Sequence, residues 1–368
     1  MLQKSGVETV KASARLVDDH RLSVRMDDGE RLFEAGAVIL ATGSRSASLP
    51  FLRPDGKGVV TSREALEFAE VPRSLLVVGA GAIGLEIGSI YQRLGSDVTI
   101  LEIMPSVMPG SDKEMAARLE RILNRQGLKI FTQMRIEEAQ AEQGRMTLRG
   151  ICLKTQAPFA YGAEKVLLAA GRRANSDLFG GGTGPTLSLD RAGFIRVDSA
   201  LKTDVPNVYA IGDVIGGKLL AHKAYHDAFI AIENIAGGQR AVDYTALPMA
   251  VFTEPEFASV GLTEEEALER ESKVQVGLFP LQASGRALTM DATDGAVKLI
   301  ANSRDELVGG HILAPGASEM IAEITLALER KMKLQDVASL IHIHPTLSEA
   351  VGEAALKAKN QALHIINP

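Results

Sequence analysis

Leu75-Leu76-Val77-Val78-Gly79-Ala80-Gly81-Ala82-Ile83-Gly84-Leu85-Glu86 is the stretch that decides the fold. Four apolar residues in a row read as a buried strand, and the three glycines then fit G-x-G-x-x-G at the entry to a helix. Gly79 permits a tight turn, Gly81 lets backbone approach a pyrophosphate, and Gly84 lets the helix pack close to the strand. The N-terminus of that helix would face the negative charge. Taken alone, the motif could be no more than a Gly-rich turn beside a core strand. The residues after the helix add weight: a second apolar strand, Val98-Thr99-Ile100-Leu101, ends in Glu102. That acid lies roughly 20 residues on, where a ribose 2′-hydroxyl would be bound.

The totals set bounds. At 368 residues the chain should hold about two or three domains. A composition 46% hydrophobic and 23% charged is that of an ordinary globular protein. The net charge of -6 argues against nucleic acid or an anionic membrane as partner. Cys152 is the only cysteine, so no intrachain disulfide can form, and no metal site is expected. No apolar h-region follows Met1, and apolar runs such as Ile321 to Leu328 are interrupted by charge, here Glu323. A cytoplasmic location is the expectation.

Outward from the glycine loop, residues 7–40 alternate like β-structure, with Asp27-Asp28-Gly29 as a turn. Ala37-Val38-Ile39-Leu40 forms an apolar strand that ends in Ala41-Thr42-Gly43-Ser44, by itself an ordinary structural turn. Thr61 or Ser62 caps a short helix over 63–68. After Glu102 the pattern predicts a helix over 113–124, a strand over 128–131 and a β-meander over 134–163. Val166-Leu167-Leu168 then closes the sheet. Residues 180–193 read as a Gly-rich loop, 194–197 and 207–211 as strands, and 221–235 as a helix. Beyond residue 245, alternating segments at 274–279, 295–300 and 307–313 surround helices at 263–269 and 318–330, an α+β domain on one sheet. The tail carries His342-Ile343-His344-Pro345-Thr346-Leu347-Ser348-Glu349.

Read together, these markers resemble the flavin-dependent pyridine nucleotide–disulfide oxidoreductases, and within them the branch acting on dihydrolipoyl thiols. The resemblance rests on Ala41-Thr42-Gly43, Gly79 to Gly88, Ala170-Gly171-Arg172-Arg173-Ala174-Asn175, Tyr209-Ala210-Ile211-Gly212-Asp213, Leu220-Ala221-His222-Lys223-Ala224, Thr253-Glu254-Pro255-Glu256, and His342 to Glu349. It implies an α/β architecture of three parts. These are an incomplete FAD-binding domain over 1–48 and 196–244, a Rossmann-like NAD-binding domain over 72–195, and an α+β dimerisation domain over 245–368. It implies that Gly79, Ala80, Gly81, Ala82, Ile83 and Gly84 hold NAD with Glu102, the acid arguing against NADP. Met134 and the turn Ala170, Gly171, Arg172 would flank the nicotinamide half. Thr42 and Gly43 would touch FAD, Asp213 its ribityl chain, and Ala221 and His222 the flavin ring. His344 would be the acid–base catalyst, oriented by Glu349 and lowered into the partner subunit's site of a homodimer. Lipoyl-bearing subunits of a multienzyme complex would be its partners. His342 is read as structural.

The sequence also departs from that family. Its members begin with an FAD-type G-x-G-x-x-G and a redox Cys-x4-Cys pair, and neither pattern is found here. Glu86 matches a glutamate that pairs with a lysine beside those cysteines, and residue 174 is Ala where Pro is usual. Without a dithiol, a disulfide reductase has nothing to receive the flavin's electron pair or to attack a disulfide. Two readings stay open: a truncated enzyme, the C-terminal three-quarters of the family's chain and inactive as written, or an NAD-binding, self-associating, non-catalytic module. The retained His344 and Glu349 favour the first.

Overall fold

The computed structural model describes residues 2–142, 144–177 and 184–367. The chain divides into two units: Met1–Arg45 with Arg172–Asp243, and Ser46–Gly171 with Tyr244–Pro368. Part of the Gly-rich loop expected at 180–193 lies outside the described residues.

The second unit is organised around a five-stranded parallel sheet in the order Val59–Val60, Lys165–Leu168, Ser74–Val78, Asp97–Leu101, Lys129–Phe131. Its central strand is buried from Leu75 to Val78, as a continuous apolar run covered on both faces should be, with Leu75 and Val77 on the helical side and Leu76 and Val78 on the side of the meander. The helix Ala82–Arg93 buries Leu85 and Ile87, and Lys113–Arg125 buries Met115, Leu119 and Ile122 into the same core. Thr61 caps the short helix Ser62–Ala65 in a capping box with Glu64. The meander is a three-stranded antiparallel sheet, Met134–Glu142, Arg145–Cys152 and Pro158–Ala163.

The same unit contains a second sheet, antiparallel, in the order Met249–Val251, Glu256–Gly261, Leu307–Ala314, Ala296–Ala301, Gln275–Pro280. The first two of these strands escape a reading of the sequence because Thr253-Glu254-Pro255 interrupts the apolar alternation between them. The helix Ala317–Glu329 packs on Glu256–Gly261 and Leu307–Ala314, and Glu349–Ala358 packs on Gln275–Pro280 and Ala296–Ala301. The latter approach is close, since a Cβ at Gly277 would lie 1.9 Å from the Ala354 carbonyl oxygen.

The first unit holds the antiparallel strands Ser13–Leu16, Arg21–Met26 and Gly29–Glu34 and the parallel pair Val38–Leu40 and Val208–Ala210. Residues 172–177 and 184–195, assigned from the sequence to the dinucleotide domain, have their contacts here, with Ala174, Leu187 and Ile195 in one core with Val38 and Val208. The strand expected over 194–197 is a single bridge between Leu189 and Ile195. Its amides are spent elsewhere: Phe194 N–H goes to the Asp190 carboxylate and Ile195 N–H to the Val214 carbonyl. The helix Ala221–Ile235 leaves Tyr225, Phe229 and Ile232 more than half exposed, a stripe at helical spacing. Among the described residues, no helix is long and apolar enough to cross a membrane.

Candidate functional site

The strand Ser74–Val78 delivers the chain into the glycine loop, and each glycine meets a different constraint. Gly79 has φ +106°, and a Cβ there would lie 2.5 Å from the Ala169 carbonyl oxygen, so both conformation and space require glycine. At Gly84 a Cβ would lie 2.0 Å from the carbonyl oxygen of Gly79, which is how the helix sits so close behind the turn. Gly81 differs: its Cβ would meet nothing within 4 Å. It is the N-cap of Ala82–Arg93 and supplies no side-chain acceptor for the first-turn amides. A loop with open space before it and uncapped helix N–H groups is the cradle an anion needs.

Glu102 is brought to this loop from the end of the next strand. Its carboxylate is buried, one oxygen accepting from Ala80 N–H at 2.7 Å and the other from Met104 N–H at 2.7 Å. Two amide donors fix its orientation beside Gly81 and leave lone pairs for hydroxyl donors. Ala80 is fully buried, while Ala82 and Ile83 form the half-buried first turn. Met134 is joined to the same strand end by its amide, which donates to the Glu102 carbonyl at 2.8 Å, and its side chain lies in the apolar cluster with Val78 and Leu101. The turn at Ala170 and Gly171 (φ +104°) follows Ala169, the residue against which Gly79 is packed. Glu86 has no lysine partner among the described residues; its carboxylate accepts from Phe252 N–H at 2.9 Å, and burial pushes the carboxyl up from its ordinary value.

In the first unit the strands Val38–Leu40 and Val208–Ala210 end side by side, so Thr42-Gly43 and Gly212-Asp213 occupy the same sheet end. Thr42 Oγ1 donates to the Asn175 carbonyl at 3.0 Å and its own carbonyl accepts from Asn175 Nδ2 at 2.8 Å. Asp213 accepts from Ser44 Oγ, and Arg172 Nε donates to Ser44 Oγ at 2.6 Å with Asp213 at 3.7 Å. Arg172 is therefore engaged with Ser44 and Asp213, a link that neither motif announced. The Gly212 turn is clamped from below: its amide donates to Asp227, which forms a fully buried ion pair with Lys223 at 2.9 Å. Lys223 and Asp227 stand one turn apart on the helix that Ala221 and His222 begin, both of these exposed.

At the far end of the chain, His344 Nδ1 lies 2.9 Å from Glu349 Oε1, while Glu349 Oε2 accepts from Thr346 N–H at 2.8 Å. Burial tends to raise the Glu349 carboxyl, but the Thr346 amide and His344 outweigh it and hold it below the usual range. The imidazole is 77% exposed and presents its other nitrogen outward. Nearby, His342 pairs with Glu323 at 3.1 Å and is nearly buried against Gly352. His364 pairs with Glu353 at 2.8 Å, one helical turn beyond Glu349. His342, His344, Glu349, Glu353 and His364 all line one cavity of about 230 Å³. The Glu353–His364 pair was missed in the sequence, though glutamates four apart on one helix face followed by a tail histidine is a readable signal. Among the described residues, no three His, Cys, Asp or Glu side chains are grouped to hold a metal ion.

Residues 1–228 match the model of the pyridine nucleotide-disulphide oxidoreductase family, and residues 247–355 match that family's dimerisation domain. The chain is 40% identical over 369 residues to a dihydrolipoyl dehydrogenase of Thermus scotoductus, covering all of this chain and 78% of that one. It is 38% identical to the dihydrolipoyl dehydrogenase of Geobacillus stearothermophilus, covering 77% of that protein. Among solved structures it is similar to LpdA from Mycobacterium tuberculosis, with TM-score 0.85 at 27% identity over 96% of this chain and 78% of that one. It is also similar to the HOCl-induced flavoprotein disulfide reductase RclA of Escherichia coli, solved as a Cu(II) complex. That match has TM-score 0.87 at 26% identity over 96% of this chain and 80% of that one.

Proposed function

Because the chain belongs to the pyridine nucleotide-disulphide oxidoreductase family, we propose that it is the NAD-binding and self-associating portion of a dihydrolipoyl dehydrogenase. The observation that carries this reading is the Glu102 carboxylate, held by Ala80 N–H beside the open face of Gly81. A carboxylate there accepts hydrogen bonds from a ribose 2′-hydroxyl and repels a 2′-phosphate, so NAD is favoured over NADP. Gly81 and the uncapped helix amides would take the pyrophosphate, and Met134, Ala170 and Gly171 would border the nicotinamide end.

FAD is the second cofactor of this reading. Asp213, oriented by Ser44 and Arg172, has the acceptor chemistry to hold a polyhydroxyl chain, and Thr42 and Gly43 share its sheet end. When bound, the flavin and the nicotinamide supply the hydride chemistry. His344 would hold and move a thiol proton at Nε2, with Glu349 fixing Nδ1 and so the tautomer. Cys152, in the meander strand Arg145–Cys152, is the only cysteine of these 368 residues. The dithiol that exchanges with a lipoyl disulfide is therefore not supplied by them, and we expect no lipoamide reduction by this polypeptide alone. A homodimer built through residues 245–368 is the assembly, with lipoyl-bearing subunits as the partners of the complete enzyme and the cytoplasm as its location. These assignments use a partial FAD domain over 1–48 and 196–244, joined by the residues from 172 that pack with it, and an NAD domain over 72–171.

The single cysteine, with the exposed stripe Tyr225, Phe229 and Ile232, favours a second reading as an NAD-binding, self-associating module without catalysis. A visible spectrum of the purified protein separates the two: stoichiometric flavin absorbance ends the flavin-free reading. Glu102→Ala tests what both share. It should weaken NADH by roughly 1–3 kcal/mol, the loss of a charged hydrogen bond. Unchanged affinity in titration calorimetry would remove the basis for NAD recognition.

A further inference from the structure

We propose that the cleft between the helix Lys113–Arg125 and the loop leading into the strand Ala296–Ala301 is a binding site for a small organic phosphate. It is separate from the glycine loop and from the His344 cavity, sharing no lining residue with either, and it encloses about 470 Å³. Arg118, Arg121 and Arg125 stand at i, i+3 and i+7 on one face of the helix and all three line the cleft, with buried Ile122 between them. The opposite wall brings Gln282, Thr293 and the carboxylate of Asp294. Three guanidinium groups thus line the cleft, with Asp294 the one carboxylate among its lining residues, on a chain whose net charge is -6.

The three arginines are not equally engaged. Arg118 pairs with Glu114 along the helix at 2.9 Å, and Arg125 crosses the cleft to Asp294 at 2.7 Å. Arg121 spends only its Nε, on the Ala117 carbonyl at 3.2 Å, and its terminal amines meet no carboxylate among the described residues. Arginines in the last turns of a helix complement its dipole, which accounts for their presence. It does not account for their convergence on a concavity of ligand size with amide and hydroxyl groups facing them. A planar guanidinium matches two phosphate oxygens at once, so Arg121 is the free fork and Arg125 becomes a second one when Asp294 is displaced. Ile122 and Pro280 offer an apolar surface for the organic part.

Displacement of Asp294 gives the test opposite signs. With phenyl phosphate as the probe and the full chain in titration calorimetry, one site per chain is expected. Arg121→Ala should weaken it about tenfold, the loss of one charge-assisted contact. Asp294→Asn removes the competing carboxylate and should tighten it several-fold. Both positions are solvent-facing, and matched thermal melts establish that the variants are folded. Gly81→Val, which blocks the glycine loop, should leave phenyl phosphate binding intact. The proposal is overturned by absence of binding at millimolar probe, by indifference to both cleft substitutions, by loss of binding in Gly81→Val, or by equal affinity for an acidic peptide.

Discussion

Replacing Lys298 by methionine should destabilise the protein by about 3–5 kcal/mol, the cost of stranding a buried charge. Lys298 is 1% exposed, and its ammonium lies 3.0 Å from both oxygens of Asp112, 2.7 Å from Glu264 and 3.3 Å from Glu114. Asp112 is fully buried and has two further duties: it caps Lys113–Arg125 through Met115 N–H and accepts from Glu264 N–H. This cluster fastens the helix behind the parallel sheet to the antiparallel sheet, since Lys298 comes from Ala296–Ala301 and Glu264 from Glu264–Arg270. Methionine matches the lysine stem in volume, so the loss is charge and not packing. The control is Lys298→Met with Asp112→Asn, which keeps the cap and removes the orphaned carboxylate. It should recover most of the stability, because a buried pair and its neutral replacement are often nearly equivalent.

The pH dependence comes from the same groups. Burial tends to lower Lys298, but Glu264 and Asp112 outweigh it and raise it above the ordinary lysine value. Its stabilisation is whole below that value and lost as pH climbs through the raised one. Burial tends to raise Asp112; with His311 beside it neutral, the Lys298 ammonium and the Met115 amide outweigh burial and hold it low. Its contribution is whole above the ordinary carboxylate value and lost as pH falls through the lowered one. His311 beside them is buried, donates Nε2–H to the Leu262 carbonyl and has no partner at Nδ1 among the described residues. Burial lowers its imidazole, so it stays neutral in the fold, and stability declines as pH drops below the ordinary histidine value of about 6.5. Chemical denaturation across pH should show this decline before the carboxylates titrate.

The second large effect is expected at Gly84. An alanine there would place its Cβ 2.0 Å from the Gly79 carbonyl oxygen and 3.2 Å from Val77 Cγ1. The obstacle is main chain, in a loop fixed by the Gly79 N–H bond to the Leu101 carbonyl, so it cannot turn aside. Overpacking typically costs about 1–3 kcal/mol, and a backbone clash puts Gly84→Ala at or above the upper figure. Gly88, one turn later, is the comparison. Its Cβ would meet the Ile100 Cδ1 methyl at 3.1 Å and Val98 Cγ1 at 3.6 Å, side-chain atoms that need give only a few tenths of an ångström, and no main chain. Alanine is also favoured over glycine in a helix by about 1 kcal/mol. Gly88→Ala should melt near the parent and Gly84→Ala well below it; equal melting temperatures would show that the helix is not seated on the turn as described.

How far these features can be read from residues alone differs by site. The glycine loop was legible because strand, turn, helix and acid fall within 28 consecutive residues, Leu75 to Glu102, at spacings set by local geometry. Glu102 was expected near a ribose, and the structure adds what orients it, the amides of Ala80 and Met104. The pair His344 and Glu349 was legible for the same reason, being five residues apart. The Lys298 cluster was not, because Lys298 sits in an alternating strand pattern and its partner Asp112 is 186 residues away. Arg172 likewise looked like part of the turn after Leu168, and only the fold directs it to Ser44 and Asp213. Strand 256–261 is pinned by pairing to Leu307–Ala314, and 249–251 by pairing to 256–261 in turn, an anchorage that their short, interrupted sequence does not carry.

NADH titrated into the parent chain and into Gly81→Val, followed by nicotinamide fluorescence with thermal melts on both, tests the central claim most directly. Gly81 has extended backbone that any residue adopts and open space at its Cβ, so valine leaves the fold undisturbed while filling the place where a pyrophosphate approaches. The parent should bind one NADH per chain and prefer it to NADPH, and Gly81→Val should melt as the parent does and bind no NADH. Undiminished NADH binding by a folded Gly81→Val chain would contradict the assignment of this loop as the dinucleotide site.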